Sequence, residues 1–105
     1  MPNGKLDGGV AVTMSGLDLE RAIVCFNALG IAQRALDISI DYAKTRQQFG
    51  KPIGSFQLMQ GKMADMYTAM NSARAYVYEV AKACDRGDVT RAGAAACCLY
   101  ASEEA

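Results

Sequence analysis

At 105 residues, with 11 Lys and Arg against 11 Asp and Glu, the chain has room for about one domain and carries no net charge. The absence of histidine excludes Ser-His and Cys-His nucleophilic schemes and every His-ligated metal site, and neutrality without a basic block argues against a nucleic-acid partner. Hydrophobic residues make up 51% of the chain, yet its mean hydropathy is close to zero and no run reaches the ~20 consecutive apolar residues of a membrane span, so neither a metal nor a membrane partner is expected. The four cysteines, at 25, 84, 97 and 98, include no C-x-x-C pair. They read as buried thiols of a reducing compartment that serve as small hydrophobes. The first nine residues show neither a secretory signal nor an Arg-rich transit segment.

In chain order, residues 1–9 are rich in Gly, Pro and Asn and read as a loop, and residues 1–14 as a linker or the end of a preceding domain. Val10, Val12 and Met14 alternate with Ala11 and Thr13, compatible with a strand fragment or a helical turn. A helix is predicted over 15–47. Ser15 with Asp18 resembles a capping box, and Leu19, Ile23, Phe26, Leu29, Leu36 and Ile40 recur near helical spacing. Gly30 in its middle points to the close approach of another backbone or a ligand. Gly50 and Pro52 break the pattern. A second helix, capped by Ser55, is predicted over 55–86 and carries Met59, Met63, Met66 and Met70, which read as core filler. A third, capped by Thr90 or Asp88, is predicted over 90–105 and is still running at Ala105, which reads as truncation. Short links imply antiparallel neighbours. The expected fold is therefore all-α, an incomplete antiparallel up-down bundle over 15–105 with apolar faces left for a fourth helix or a second subunit.

Without histidine, the candidate general bases are carboxylates. Glu20 lies beside Leu19, Ala22 and Ile23, and an apolar setting raises a carboxylate pKa toward the range of a useful base. It reads equally as a first-turn Glu that stabilises the helix dipole. Arg46, near the predicted helix end, is either an ordinary C-terminal cation or a bidentate grip on phosphate. Gln57 and Gln60 either read a polar ligand edge or face water.

These same residues carry a family resemblance. Met14–Arg21, MSGLDLER, resembles the opening of the C-terminal helical domain in the isovaleryl type of acyl-CoA dehydrogenase. Arg46–Gln57, RQQFGKPIGSFQ, resembles the R-x-x-F-G-x-x-I-x-x-F-Q segment of the acyl-CoA dehydrogenase family at large. Phe56–Tyr67 and Ala75–Asp85 are similar as well, so the likeness covers roughly residues 8–105. It implies the first part of the last of three domains in an FAD-dependent enzyme. That reaction takes a proton from the carbon alpha to a thioester and passes a hydride from the beta carbon to FAD, and the electrons leave to electron-transferring flavoprotein.

The resemblance assigns the base to Glu20, the acyl-CoA path to Asp18, Leu19 and Arg21, and the FAD contacts to Arg46, Phe49 and Gln57, made to the cofactor of a neighbouring subunit. It implies a homodimer or homotetramer, in the cytoplasm of a bacterium or the mitochondrial matrix of a eukaryote. Two departures bear on the acyl-chain preference: Ala11 stands where an aromatic is expected, and Cys25-Phe26-Asn27-Ala28 where a Gly-Pro pair is expected. The alternatives are a relative with another chain-length preference and a helical assembly module without chemistry. On this reading the chain alone binds no FAD and self-associates.

Overall fold

The computed structural model describes residues 7–105; the predicted loop at residues 1–6 lies outside the described residues. Helix α1 runs Gly9–Thr45, strands β1 (Gln47–Gln48) and β2 (Lys51–Pro52) form a small antiparallel hairpin, a 3-10 turn follows at Ile53–Ser55, and helices α2 (Gln57–Arg86) and α3 (Arg91–Glu103) complete the chain. The fold is all-α apart from that hairpin, an elongated three-helix unit of 72 × 20 × 17 Å. Gly87 ends α2 with φ +74°, and the Asp88 N–H donates to the Ala83 carbonyl at 2.8 Å, a Schellman closure. Thr90 caps α3: its Oγ1 accepts from the Gly93 N–H at 3.0 Å. That decides between the two candidate caps.

The start of α1 differs from expectation. Nothing in Val10–Met14 opposes a helix, so the helix reaches back to Gly9 rather than stopping at Ser15. Ser15 therefore sits inside the helix, where its hydroxyl donates to the Val12 carbonyl at 2.8 Å instead of capping. Asp18 and Glu20 then lie well beyond the first turn, outside the short range of the helix-end field, so the dipole reading of Glu20 falls away. The far end also moves. α1 stops at Thr45 because Gln47 and Gln48 pair with Pro52 and Lys51 across the hairpin. Ser55 does not cap α2 either: Phe56 holds that position, and the Ser55 hydroxyl donates to the Pro52 carbonyl at 2.7 Å.

Two clusters make the core. The larger joins Ala22, Cys25 and Leu29 of α1, Ala73, Val77 and Val80 of α2, and Cys97 and Ala101 of α3. The smaller joins Ala32, Leu36 and Met70. Spacing of three and four residues puts Ala22, Cys25, Leu29, Ala32 and Leu36 on one stripe of α1. Small side chains dominate that stripe and let the helix axes come close. Leu19, Ile23 and Phe26, which the apolar periodicity also selects, lie exposed on other faces, as do Ile31 and Ile38. Phe26 still meets Tyr78 of α2 edge-on at 5.6 Å. Between the helices, Arg74 donates to the Gln33 side-chain oxygen and Gln33 donates to Asp37 at 2.9 Å, a polar bridge that sets the register of α1 on α2. A buried Leu such as Leu36 contributes about 1.5–3 kcal/mol.

By length and composition alone, α1 is long and apolar enough to cross a membrane, which goes beyond the sequence expectation. Five of its six buried residues, Ala22, Cys25, Leu29, Ala32 and Leu36, nonetheless belong to core clusters shared with the other helices, and Ala43 lies against Gly54 of the 3-10 turn.

Gly30 has no atom within 4 Å of where a Cβ would stand, so among the described residues no other backbone approaches it closely, and of the expected neighbours only a ligand or another chain is left. Gly30→Ala should therefore stabilise the chain by about 0.8–1 kcal/mol through helix propensity alone, measured as a higher urea midpoint.

All four cysteines are free thiols; Cys25 and Cys97 are buried in the main core, with Cys84 and Cys98 packed against it. Burial, followed by the neighbouring Cys97 and Cys98 thiols, pushes the Cys25 pKa up to about 12, and burial also raises that of Cys97. The folded chain thus keeps protons that the unfolded chain loses above the ordinary value of 9.0. Stability present below that value is lost as the pH climbs toward about 12. Chemical unfolding at about pH 8 and about pH 10.5 should show a fall on the order of 1 kcal/mol per pH unit per thiol. A flat profile would contradict shared burial of the thiols.

Candidate active-site and cofactor-contact surfaces

The candidate residues fall into two groups at opposite ends of α1. The first is the turn from Asp18 to Arg21. Asp18 and Arg21 share a face, and Arg21 Nη1 donates to Asp18 Oδ1 at 2.8 Å. Arg91, from the first turn of α3, reaches the other carboxylate oxygen, Nε to Oδ2 3.5 Å. The Asp18 side chain is 19% exposed, against 37% for Arg21 and 61% for Arg91. One turn on, the Cys25 thiol donates to the Arg21 carbonyl at 3.0 Å and ties the turn to the core.

Glu20, two residues from Asp18, points to a different side of the helix and is exposed, as is Leu19. The apolar surroundings foreseen for its carboxylate are not supplied by this chain: Ile23 is exposed beside it. Glu20 therefore stands solvent-exposed beside the apolar side chains of Leu19 and Ile23.

The second group is built by the hairpin. Its two-residue loop, Phe49-Gly50, has φ +53° and +77°, positive at both positions as a type I′ turn requires. Gly50 tolerates this. Phe49 does so at a cost of about 1–2 kcal/mol for a non-glycine residue in the left-handed region. The result is a ring 91% exposed at the tip, braced edge-on by Phe56 at 6.1 Å. Lys51 lies over the Phe56 ring, its Nζ 4.5 Å from the centroid. Arg46 and Gln57 flank the hairpin, both exposed, and among the described residues neither side chain makes a hydrogen bond or ion pair. Gln60 donates to the Gly54 carbonyl at 3.1 Å, so it braces the turn rather than facing outward freely. A guanidinium, an aromatic face and a free amide side by side suit a ligand that combines phosphate, a flat ring and polar edges, so these residues fit FAD.

Sequence reasoning missed two residues here. Arg91 lies 73 positions from Asp18, and no local spacing could reveal that pairing. Gly54 packs so closely on α1 that a Cβ would lie 3.1 Å from the Ala43 carbonyl oxygen; its place just before the Ser55-Phe56 pair was the available signal.

The hairpin's dependence on backbone freedom is directly measurable. A Cβ at Gly50 meets open space, so Gly50→Ala isolates the conformational term. It should destabilise the chain by about 1–2 kcal/mol in urea unfolding.

The pattern of the family described as acyl-CoA dehydrogenase, C-terminal domain, matches residues 7–105. Among relatives, the mitochondrial isovaleryl-CoA dehydrogenase of Oryza sativa subsp. japonica is 49% identical over 102 residues, 97% of this chain and 25% of the relative. The solved butyryl-CoA dehydrogenase of Megasphaera elsdenii superposes with a TM-score of 0.92 at 38% identity, covering 97% of this chain and 27% of that one. A structure described as the FAD complex of PigA gives a TM-score of 0.84 at 30% identity over 96% of this chain and 26% of that one. The chain thus spans about a quarter of the length of the proteins it matches. Three helices joined by a strained hairpin, matched along 7–105, make this chain a member of the acyl-CoA dehydrogenase family, within its C-terminal domain.

Proposed function

We propose that the chain is the part of an FAD-dependent acyl-CoA dehydrogenase that carries the catalytic base, acting on a short branched-chain thioester of the isovaleryl kind. The observation that carries this reading is the separation of the two groups. Glu20 and Arg46, the residue that caps the C-terminus of the same helix, are 26 residues apart, roughly 39 Å at about 1.5 Å per residue. A single reacting centre cannot span that distance, so one chain serves two centres. Its Asp18–Arg21 turn faces a thioester, while Arg46, Phe49 and Gln57 reach the cofactor of a neighbouring copy. Self-association follows, as a homodimer or homotetramer. The backbone strain held at Phe49 supports the same reading, because such strain persists where exposure of that ring is useful.

In this reading the Glu20 carboxylate takes the alpha proton of the thioester. Its apolar outer face is closed by the surface that docks there, which excludes water and strengthens the base. Asp18, Leu19 and Arg21 line the acyl-CoA path. FAD, when bound, supplies the acceptor for the beta hydride. Electron-transferring flavoprotein is the proposed next acceptor. The compartment is the mitochondrial matrix in a eukaryote, in keeping with relatives named mitochondrial, or the cytoplasm in a bacterium. Ala11 and the Cys25–Ala28 stretch favour a shifted chain-length preference as the second reading, in keeping with the butyryl-CoA relative.

Glu20→Gln in the full-length enzyme keeps the side chain's shape and removes the base. Flavin reduction by isovaleryl-CoA under anaerobic conditions should slow about 10²–10⁴-fold with thioester binding retained. Bleaching at the unmodified rate would move the base outside this chain.

A further inference from the structure

The face of α1 opposite its buried stripe carries a shallow groove of about 680 Å³, lined by residues of that helix between Phe26 and Ile38. Gly30 forms its open centre, and Ile31 beside it is 63% exposed. Asn27 and Arg34 are exposed as well, and among the described residues neither side chain makes a hydrogen bond or ion pair. A surface that fits this groove must answer an unused amide and an unused guanidinium as well as apolar side chains. The chain exposes 7301 Å², against about 5,700 Å² for a typical monomer of its 11.2 kDa. The surplus is about twice the ~800 Å² that each partner buries in a standard interface. That suffices for one such interface besides contacts with the rest of a full-length enzyme.

We propose that a second copy of this chain fills the groove, α1 crossing α1 antiparallel about a two-fold axis between Gly30 and Ile31. The order of side chains along the helix favours this occupant. Counted outward from that axis, Gly30 meets Ile31, Asn27 meets Arg34, Phe26 meets Ala35, and Ile23 meets Ile38. A large side chain thus meets a small one twice, the guanidinium donates to the amide oxygen, and each contact occurs in duplicate, as a self-complementary interface requires. Gly30 and Ala35 let the axes come close, and helices packed this way commonly cross near 50°. At that angle they have parted to roughly 15 Å by the level of Glu20, about 16 Å along the helix from the axis, so the pairing does not seal that carboxylate. The antiparallel sense carries the hairpin of each copy toward the Glu20 end of the other, where contact with a neighbour's cofactor is needed. The inference rests on the reading that the chain self-associates, and names the surface.

Sedimentation of the full-length enzyme loaded with FAD is the test. Asn27→Arg sets two guanidinium groups against each other at two symmetric places and should weaken association at least about tenfold. Gly30→Leu, whose Cβ meets nothing within 4 Å in its own chain, should do the same by filling the hollow that receives Ile31. The double exchange, Asn27→Arg with Arg34→Asn, returns an amide opposite each guanidinium and should restore the assembly. An assembly indifferent to the single variants, or one that the exchange fails to restore, overturns the pairing and leaves self-association standing through another surface. Variants that lose helix content instead of partners place the rest of the same enzyme in the groove, which overturns the pairing too. If the unmodified enzyme sediments as a single copy, the self-association reading falls, and the pairing with it.

Discussion

Close approach of three helices along a seam of small side chains is the constraint on which the rest of this structure depends. Ala22, Cys25, Ala73, Cys97 and Ala101 bring α1, α2 and α3 together, with Leu29, Val77 and Val80 filling the remaining space. Two cysteines in that seam act as alanine-sized hydrophobes with a little more volume, and their burial holds their protons on. Besides the buried Leu29 and Leu36, α1 carries further large apolar side chains that the seam does not take up. Leu19, Ile23, Phe26, Ile31 and Ile38 are left on surface that the three helices do not cover.

On that outward surface the Glu20 carboxylate is exposed beside the apolar side chain of Ile23. Glu20 stands among the outward residues, while Asp18 and Arg21 pair on another face, where Arg91 of α3 also reaches the Asp18 carboxylate. One helical turn therefore has two sides with different chemistry. The inner side is a charge cluster tied to α3 and, through the Cys25 thiol, to the core. The outer side is the exposed Glu20 carboxylate. The length of α1 then places the hairpin with Arg46, Phe49 and Gln57 at the far end of that helix from the Asp18–Arg21 turn.

The hairpin departs from local preference in a way the rest of the chain does not. A two-residue loop with both φ values positive favours Asn-Gly, and here the first position is Phe49. Gly54 against the Ala43 carbonyl, Phe56 against the Phe49 ring and Gln60 on the Gly54 carbonyl hold the turn in place. The energy stored at Phe49 is offset by that packing.

Composition and periodicity alone determined the all-α class, the three helices and the stop near Gly87, and narrowed the α3 cap to Thr90 or Asp88, because these depend on interactions within a few residues along the chain. The resemblance carried by MSGLDLER and RQQFGKPIGSFQ was also legible, since those runs are contiguous. The start of α1 was not. Ser15 and Asp18 form a plausible capping pattern, and only the continuous backbone ladder from Gly9 overrides it. Nor could periodicity say which stripe of α1 is buried, because that helix is apolar on several sides and the choice falls to whichever stripe lets neighbouring axes come closest. The pairing of Arg91 with Asp18 across 73 residues, and the exposure of Phe49 on a left-handed turn, were likewise decided by tertiary structure. Both depend on where distant segments are brought together, which no local spacing encodes.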